Sequence, residues 1–519
     1  MKQCSSNIRG KSKNWARLFF HVRQDCTPDI LEFRNNPERI RESQRRRFAP
    51  VEAVDEVIRL DEGWRAARGA ADNLRKVFNV KSKAIGELIK TKAEAAAIDA
   101  AKAEAASIKA QIEAKEKEMA ALEAEVNNKA GRIGNIVSER ATVSNDEKDN
   151  LVVRTFGTPR EAQPGEELLT HVDLLRMLDA VDCEQGTTVG GGRAYYLKGP
   201  GVFLNLALIN YGISFLSGRG YLPMQTPYFM NQSIMAQCAQ LEDFDEQLYK
   251  VTGEGEDKYL IATSEQPISA YHRNMWIDPA SLPLKYAGFS SCFRKEVGSH
   301  GRDTTGIFRV HQFEKIEQFT VTSPEKSWEM FDEMITTSEA FFQSLGLAYR
   351  VVNIASGTLN NAAALKYDLE AHFAGQGKTF RELVSCSNCT DYQSRKLNVR
   401  YGLTAAKDAP KVFVHMLNST LCATERTICC LVEQHQTPTG IRVPEALRPF
   451  MGGRDFLPFV FTKKQVLERE ALRAAAGPAA EKVPRPPKAG KPAAAKPATA
   501  AAAAATETAP AAAPAPEQH

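Results

Sequence analysis

Two arginines on either side of a glycine-bearing segment are the residues in this 519-residue chain best suited to binding phosphate. Arg294 lies in the string F-R-K-E at 293–296, and Arg309 lies in F-R-V-H-Q-F-E at 308–314. A guanidinium group is permanently charged and donates paired hydrogen bonds, which suits a phosphate oxygen pair. The flanking apolar residues predict a β-hairpin that presents both arginines to one cleft, where Phe313 could stack on an adenine ring. Taken alone, the segment also fits a salt-bridged hairpin with a mobile loop.

Two other strings look like sites and fail on detail. Gly377-Lys378-Thr379 resembles the end of a phosphate-binding loop, but that loop requires glycine where this chain has His372. Cys386 and Cys389 have the spacing of half a zinc site, with no second pair of ligands elsewhere in the sequence. We therefore predict structural thiols at these positions and no structural zinc.

Composition describes an ordinary globular protein. Hydrophobic residues make up 43%, charged residues 25%, and the net charge of +4 is too small to indicate nucleic-acid binding by itself. Ten scattered cysteines are too few for a disulfide scaffold, which favours reduced thiols inside the cell. Because no stretch approaches 18 consecutive apolar residues, we predict no association with a membrane.

The two ends of the chain differ from the rest. Residues 1–26 form a basic extension with one acidic residue, Asp25, and a helical apolar face, a pattern that resembles an organelle transit peptide. A disordered extension explains it equally well. Residues 465–519 end in Ala, Pro and Lys repeats that cannot form a core, so a disordered tail is predicted.

Residues 27–140 predict a helical domain. Thr27-Pro28-Asp29 and Asn36-Pro37-Glu38 both have the form of a helix start, and residues 51–137 read as helix almost throughout. Two narrow apolar stripes predict an antiparallel coiled coil whose tip lies between residues 88 and 100; a long solvated or dimerising helix is the alternative. The stripes consist of Val54, Val57, Ile58, Trp64, Leu74 and Val77, and of Ile98, Ile108, Ile112, Met119, Leu122 and Val126.

Positive charge is concentrated on the first helix of this predicted arm. Between residues 64 and 92 there are eight basic and two acidic residues, a net charge of +6. A protruding basic rod suits an RNA phosphate backbone, although helix surfaces are often rich in lysine. The candidate RNA-binding residues are Arg65, Arg68, Arg75, Lys76, Lys81 and Lys83.

Residues 150–462 predict an α+β domain built on an antiparallel β-sheet flanked by helices. Short apolar runs arrive in adjacent pairs, and helices are grouped elsewhere, which favours antiparallel pairing over alternating βα units. The predicted strands are 151–153, 259–261, 308–310, 314–320, 351–354 and 412–416. The predicted helices are 202–216, 328–345 and 423–434.

With its neighbouring strings, the arginine segment resembles the second signature motif of class II aminoacyl-tRNA synthetases, in the form found in cytosolic eukaryotic seryl-tRNA synthetases. Residues 218–227 resemble the first signature motif of that class. Residues 423–426, with the helix that follows, resemble the third. Further matching strings are T-S-E-Q-P at 263–267, C-F-R-K-E-V-G-S-H-G-R-D at 292–303, E-L-V-S-C-S-N-C-T-D-Y at 382–392 and H-M-L-N at 415–418. The resemblance covers residues 29 to 462.

The resemblance implies roles for individual residues. Arg294 would contact the ATP α-phosphate and the serine carboxylate, Glu296 the adenine amino group, Arg309 the γ-phosphate, and Arg426 the far face of the nucleotide; these four are the implied catalytic set. Implied ATP-binding residues are Arg294, Glu296, Arg309, Val310, His311, Gln312, Phe313, Glu382, Leu383, Val384, Ser385 and Arg426, with Glu382 and Ser385 holding Mg²⁺. Implied serine-binding residues are Thr263, Ser264, Glu265, Arg294, Glu317, Asn418 and Thr420.

The resemblance also implies a cytoplasmic, homodimeric serine–tRNA ligase. Such an enzyme activates L-serine with ATP to form seryl-adenylate, and then transfers the seryl group to the terminal adenosine of tRNA(Ser). The coiled-coil arm would grip the tRNA, and charging of tRNA(Sec) stays open. A non-catalytic RNA-binding paralogue of the same fold is the alternative, although every matched position holds the expected residue.

Overall fold

The computed structural model describes residues 30–238, 247–253, 255–296, 305–375, 377, 379–402 and 412–476. The predicted helix start at Thr27, the basic extension, residues 297–304 and most of the tail lie outside these residues. Residues up to Val466 form one compact unit, and Leu467 begins a second.

The arm is an antiparallel pair of long helices, as predicted. The N-terminal region has four helices, α1 (Ile30–Asn35), α2 (Pro37–Arg46), α3 (Glu52–Lys90) and α4 (Ala95–Gly131), of which α3 and α4 are the long pair. Asn36 is the N-cap of α2 with proline at the first helical position, as the sequence indicated. The chain reverses direction at residues 91–94, within the predicted range, and Lys92 adopts the left-handed backbone conformation with φ of 52° there. We call α3 and α4 the arm.

The seam between α3 and α4 differs from the prediction at Val77, whose side chain is 46% exposed. The buried positions along the seam include Ala67 and Ala71 on α3, with Ala105 on α4. Alanines let two helices approach closely, so the seam is thinner than a stripe of large residues would make it. At the base of the arm, a separate core consists of Phe33, Ile40, Val54, Val57 and Ile133.

Beyond the arm the chain forms a sheet domain. Its strands are β1 (Leu151–Phe156), β2 (Val181–Asp182), β3 (Tyr196–Leu197), β4 (Leu222–Gln225), β5 (Phe229–Asn231), β6 (Lys250–Val251), β7 (Lys258–Leu260), β8 (Trp276–Ile277), β9 (Leu284–Phe293), β10 (Gln312–Thr322), β11 (Tyr349–Asn353), β12 (Leu365–Phe373), β13 (Thr379–Asn388), β14 (Arg400–Tyr401), β15 (Val412–Phe413), β16 (His415–Ala423), β17 (Gln436–Thr437), β18 (Gly440–Arg442) and β19 (Phe456–Pro458). Its helices, with the helix that runs on into the second unit, are α5 (His171–Met177), α6 (Cys183–Gly190), α7 (Pro200–Ser217), α8 (Gln232–Cys238), α9 (Glu265–Tyr271), α10 (Ser327–Ser344), α11 (Tyr392–Leu397), α12 (Thr424–Gln434) and α13 (Lys463–Ala476).

Eight strands form the central sheet in the order β1-β11-β12-β13-β16-β10-β9-β4. All neighbours pair antiparallel except β4 and β9, which are parallel. Helices α7, α10 and α12 contribute apolar residues to the main core beside this sheet. The antiparallel α+β architecture expected from the sequence is confirmed.

The predicted strand at 308–310 is wrong. Ile307, Phe308 and Val310 are buried in the main core, but the segment is an irregular turn that follows Gly306, whose φ is +72°. Burial of apolar side chains produced the strand-like pattern without strand hydrogen bonding. Arg309 therefore lies before β10 and not on a strand.

Helix α7 is long and apolar enough, by length and composition, to cross a membrane, and it is the one such helix among the residues described. Leu204, Leu208 and Leu216 are buried in the main core. A core helix of a folded protein passes the same test, so this observation is weak support for a membrane span.

Candidate active site

The hairpin of β9 and β10 fixes the backbone of Arg294. Strand β9 ends at Phe293 and β10 begins at Gln312, yet the pairing extends one step further. The Arg294 amide donates to the His311 carbonyl at 2.9 Å, and His311 Nδ1 donates to the Arg294 carbonyl at the same distance. The backbone of Arg294 is thereby held at the end of the hairpin, two residues before Glu296, where this described range ends.

The side chain of Arg294 lies over the ring of Phe313, with Cζ 5.1 Å from the ring centroid. A guanidinium above an aromatic face is attracted by the electron density of the ring. The sequence placed these two residues in one cleft, and the structure brings them into contact. A nucleotide base that stacks on Phe313 has to share the ring with the Arg294 guanidinium or displace the guanidinium from it.

Arg309 and Glu296 form an ion pair, with Arg309 Nε 2.9 Å from the Glu296 carboxylate. Arg193 lies 3.9 Å from the same carboxylate. Glu296 has φ of +50°, a backbone conformation that is uncommon for a residue with a side chain. Strain of this kind is found where the surrounding structure fixes a functional side chain.

Arg426 closes the opposite side of the cleft. It is the third residue of α12 and lies over Phe308, with Cζ 4.8 Å from the ring centroid. Cζ of Arg381 lies 3.8 Å from the centroid of the same ring. Its guanidinium donates to the Glu382 carbonyl at 3.2 Å and to the Glu382 carboxylate at 3.4 Å. Two guanidinium groups and an aromatic ring therefore lie near Glu382 on β13.

Glu382 and Ser385 lie on the same face of β13 because a β-bulge separates them. Glu370 pairs with Glu382 and Asp368 with Ser385, and the register shifts between these pairs. Desolvation by nearby protein atoms opposes ionisation of Glu382, whose side chain is 46% exposed, but the charges of Arg426 and other nearby cations lower its pKa. Among the residues described, no group of three or more His, Cys, Asp or Glu side chains could hold a metal alone. A carboxylate and a hydroxyl fit Mg²⁺ that takes its other ligands from phosphate and water.

A second cluster of polar residues surrounds Glu317, whose side chain is almost fully buried. Its carboxylate accepts hydrogen bonds from Thr263 Oγ1 and Ser264 Oγ, each at 2.7 Å, and from Lys315 Nζ at 3.0 Å. Burial opposes the charge of Glu317, while Lys315 and the two hydroxyls lower its pKa. Opposite Glu317 on β9, Gly288 leaves room for Ser264, since a Cβ there would stand 2.7 Å from Ser264 Oγ.

Glu265 lies beside this cluster at the start of α9. Desolvation and the charge of Glu317 raise the pKa of Glu265 to about 7. Gln393 Nε2 donates to its carboxylate at 2.6 Å. A carboxylate with so high a pKa is suited to a cationic ligand that would stabilise its ionised form.

Two further residues predicted to bind serine, Thr420 and Asn418, lie beside this cluster. Thr420 pairs directly with Glu317 across β16 and β10, and Asn418 is two residues away on the same face. Asn418 Nδ2 donates to the Cys389 thiol at 3.5 Å. The structure thus brings all the residues predicted to bind serine, other than Arg294, into one cluster.

Some predicted nucleotide residues have side chains that cannot reach a ligand. Val310, Leu383 and Val384 are buried in the main core, so only their backbone groups can face the cleft. Gln312 is exposed at the start of β10, and its carbonyl accepts a hydrogen bond from Tyr195.

Sequence reasoning assigned no role to Lys315 or Gln393. Lys315 is two residues before Glu317 on β10, so strand alternation could have placed the two on one face. Gln393 contacts Glu265 across 128 residues of sequence, and nothing in the local pattern indicates that contact. A tertiary contact of this kind is visible only in the folded chain.

On the arm, the six basic candidates divide into three groups. Arg65 pairs with Asp61, Arg75 with Asp72 and Glu116, and Lys81 with Glu104. Arg68 lies over the ring of Trp64. Lys76 and Lys83 are exposed and make no ion pair with any residue that the structure describes. A polyanion that binds Lys76 or Lys83 therefore does not have to displace a carboxylate of the described residues.

The antiparallel sheet, its arginine-bearing hairpin and the flanking α12 define the catalytic core of a class II aminoacyl-tRNA synthetase. In agreement, a family model described as "tRNA synthetase class II core domain (G, H, P, S and T)" matches residues 249–435. A second model, "Seryl-tRNA synthetase N-terminal domain", matches residues 29–137. The chain belongs to the seryl-tRNA synthetase family.

Relatives and solved structures agree with this assignment. The chain is 55% identical over 444 residues to "Serine--tRNA ligase, cytoplasmic" of Arabidopsis thaliana, covering 83% of this chain and 96% of the relative. For the Saccharomyces cerevisiae protein of the same name, the identity is 50% with coverages of 84% and 96%. The crystal structure of the cytoplasmic serine–tRNA ligase of Naegleria fowleri with AMP has a TM-score of 0.76 and 54% identity, and that of the Pyrococcus horikoshii seryl-tRNA synthetase with ATP has 0.77 and 38%. Each match covers 84% of this chain and 100% of the other.

Proposed function

We propose that this chain activates L-serine with ATP and transfers it to tRNA, and that the adenylate forms along one face of β10. Phe313, Lys315 and Glu317 occupy every second position of that strand, so their side chains share a face. Successive members are about 7 Å apart, which spans the length from a nucleotide base to an amino acid. This single strand face, with Arg294 at its open end, is the observation that carries the proposal.

Serine would bind in the cluster around Glu317. Its ammonium group would meet Glu265 and Thr263, and its hydroxyl would meet Glu317, Asn418 and Thr420. Alanine would leave the buried Glu317 carboxylate without a hydrogen bond, which is a costly loss in a buried site. Threonine would be refused mainly for want of room for its methyl group.

Activation joins two anions, so the cleft has to neutralise charge. An oxygen of the serine carboxylate forms a bond to the α-phosphorus, the α–β P–O bond breaks, and pyrophosphate leaves. Arg294 would hold the two reacting groups together and offset the negative charge on the phosphorus oxygens. Arg309 would pair with the γ-phosphate, Glu296 would select the adenine amino group, and Arg426 would cover the nucleotide. No general base is required, because the attacking carboxylate is already ionised.

Mg²⁺ would be held by Glu382 and Ser385 together with phosphate oxygens, and when bound it supplies further positive charge to the phosphates. The sharing of Glu382 between Arg426 and a metal fits a cleft that rearranges as the nucleotide enters.

In the second step a ribose hydroxyl of the tRNA end attacks the seryl carbonyl, and AMP leaves. The arm would hold the tRNA through its phosphates, chiefly by Lys76, Lys83 and Arg68. tRNA(Ser) is the proposed substrate. Whether tRNA(Sec) is also charged would be decided by aminoacylation with that tRNA.

We also propose a homodimer that forms through the first signature region. β4 is the last strand in the sheet order, and Leu222 on it is 59% exposed. Val202, Phe203 and Leu206 make an exposed apolar face on the neighbouring α7. Covering this face with a second copy would bury the apolar surface and the open strand edge together. A monomer in sedimentation equilibrium would contradict the dimer.

The predicted division of the chain into regions 27–140 and 150–462 is retained as part of this proposal, supported by the separate core at the base of the arm. Named relatives are cytoplasmic, and a cytoplasmic enzyme is proposed here. An additional mitochondrial form that depends on residues 1–26 would be revealed by a fluorescent fusion of that segment. A fusion that stays cytosolic would remove the idea.

The decisive experiment is exchange of pyrophosphate into ATP with serine, and with threonine and alanine as competitors. Serine-dependent exchange that requires Mg²⁺ is expected. Absence of exchange at every Mg²⁺ concentration, with tRNA binding intact, would instead support the non-catalytic paralogue.

A further inference from the structure

Asn135 joins the end of the arm to the sheet domain and is completely buried. Its amide donates to the Asn361 carbonyl at 2.7 Å. Its side-chain Nδ2 lies 2.8 Å from the Ala362 carbonyl and 2.9 Å from the Cys389 carbonyl. One side chain therefore fixes the segment after α4 to two separate segments of the sheet domain.

Arg47 holds Asn135 from the other side. Its Nε donates to the Asn135 carbonyl at 2.9 Å, and its terminal nitrogens donate to carbonyls of the 359–363 segment. Burial lowers the pKa of Arg47 to about 10, so it is still charged at neutral pH. The guanidinium crosses Gly134, where a Cβ would stand 2.7 Å from Nε. A buried cation satisfied by fixed backbone carbonyls leaves little freedom to the segments that surround it.

The contact with Cys389 is made at a strained turn. Thr390 has φ of +44°, which is rare for a β-branched residue and persists only when neighbouring groups enforce it. Its hydroxyl oxygen lies 2.9 Å from Asn135 Nδ2. Its amide donates to Asn388 Oδ1 at 2.9 Å. Asn135 is thus one of the groups that hold this turn in its strained form.

The other side of the same turn reaches the serine cluster. The Cys389 thiol accepts from Asn418 Nδ2 at 3.5 Å. Four residues after Cys389, Gln393 donates to the Glu265 carboxylate at 2.6 Å. Asn418 and Glu265 are the residues proposed to meet the serine hydroxyl and ammonium.

We propose that Asn135 and Arg47, at the base of the arm, are positioning residues for the serine pocket. They fix the turn at Cys389–Thr390, and the turn fixes Asn418 and Glu265. The inference rests on the proposed serine site and adds a contribution from the tRNA-binding side of the chain. Because Arg294, Phe313 and Arg426 make no hydrogen bond with this turn in the described part of the chain, its loosening is expected to change the KM for serine and to leave the KM for ATP unchanged.

The test is pyrophosphate exchange by the full-length chain with Asn135→Ala, with serine and ATP varied separately. The KM for serine is expected to rise about ten-fold, with the KM for ATP within two-fold of the unmodified protein. Ser356→Ala is the matched control, because Ser356 Oγ also bridges the same two regions by donating to the Arg46 carbonyl. That variant should leave both constants unchanged.

Asn418→Ala and Cys389→Ala separate this inference from the pocket itself. If Asn418→Ala leaves the KM for serine unchanged, the pocket assignment fails. If Asn418→Ala raises it and Asn135→Ala does not, the positioning role alone fails. Equal rises in both KM values with Asn135→Ala also contradict the role, since they indicate general loosening. In a double-mutant cycle, Asn135→Ala and Cys389→Ala should be non-additive.

Should Asn135→Ala prevent folding, Thr390→Val gives the same test with smaller disturbance. It removes the hydroxyl that meets Asn135 and keeps the volume of the side chain. A selective rise in the KM for serine supports the proposal, and an unchanged KM overturns it.

Discussion

The arm and the cleft both depend on charged residues, but they place those residues in opposite surroundings. On the arm, the ion pair of Arg75 with Glu116 has both side chains about half exposed to solvent. In the cleft, the side chains of Lys315 and Glu317 are 7% and 3% exposed. Exposed pairs are screened by salt and contribute roughly 0–1 kcal/mol each, whereas removing one member of a buried pair costs about 3–5 kcal/mol.

The contrast explains how one chain meets two chemically different ligands. A tRNA backbone presents many equivalent phosphates, so a surface of separate, solvated cations can bind it without exact geometry. Serine and ATP offer few groups, and reaction requires them at fixed positions, which only buried and hydrogen-bonded side chains maintain. Changes in the cleft should therefore have large and specific effects, and single changes on the arm should have small and salt-dependent ones.

The largest effect is expected for Arg294→Ala. Loss of the guanidinium at the mouth of the hairpin should lower serine-dependent pyrophosphate exchange by about 10³-fold, a size typical of removing a group that stabilises developing charge. Filter binding of tRNA should change less than two-fold. A comparable loss of tRNA binding would mean that the two regions are not independent.

A smaller effect is expected for the pair Lys76→Ala and Lys83→Ala together. With two phosphate contacts removed, tRNA affinity should fall about ten-fold and the salt dependence of binding should decrease by about two counterions. Lys117→Ala is the control, since Lys117 is equally exposed on the other helix of the arm. An equal fall in that control would show that net charge, and not the face of α3, determines binding.

An effect of about the same size as that of the lysine pair is expected from pH. Because the pKa of Glu265 is raised to about 7, this carboxyl is largely protonated at pH 6 and largely ionised at pH 8. The ionised form binds the serine ammonium, so the KM for serine should fall about ten-fold from pH 6 to pH 8. In Glu265→Gln the KM should be high and independent of pH across this interval. A pH dependence that survives the substitution would assign it to another group.

The sequence predicted the cleft better than the contacts that support it. Arg294 was identified from the string that contains it, Glu317 from the family resemblance, and the arm from its helical periodicity. Phe308 was misread because a buried irregular turn and a strand have the same apolar pattern. Val77 was misplaced because alanines, which carry almost no periodic signal, fill the buried seam. Asn135 received no role, since its partners in the sheet domain are more than 220 residues away in sequence.

The most direct test of the separation between arm and cleft is to shorten the arm and measure both steps. Residues 74–117 can be replaced by a short Gly-Ser linker, because Arg75 and Glu116 lie side by side with 2.6 Å between their charged groups. This variant should keep pyrophosphate exchange within two-fold of the full-length chain and lose nearly all aminoacylation of tRNA(Ser). Exchange that falls together with aminoacylation, or aminoacylation that persists without the arm, would contradict the account.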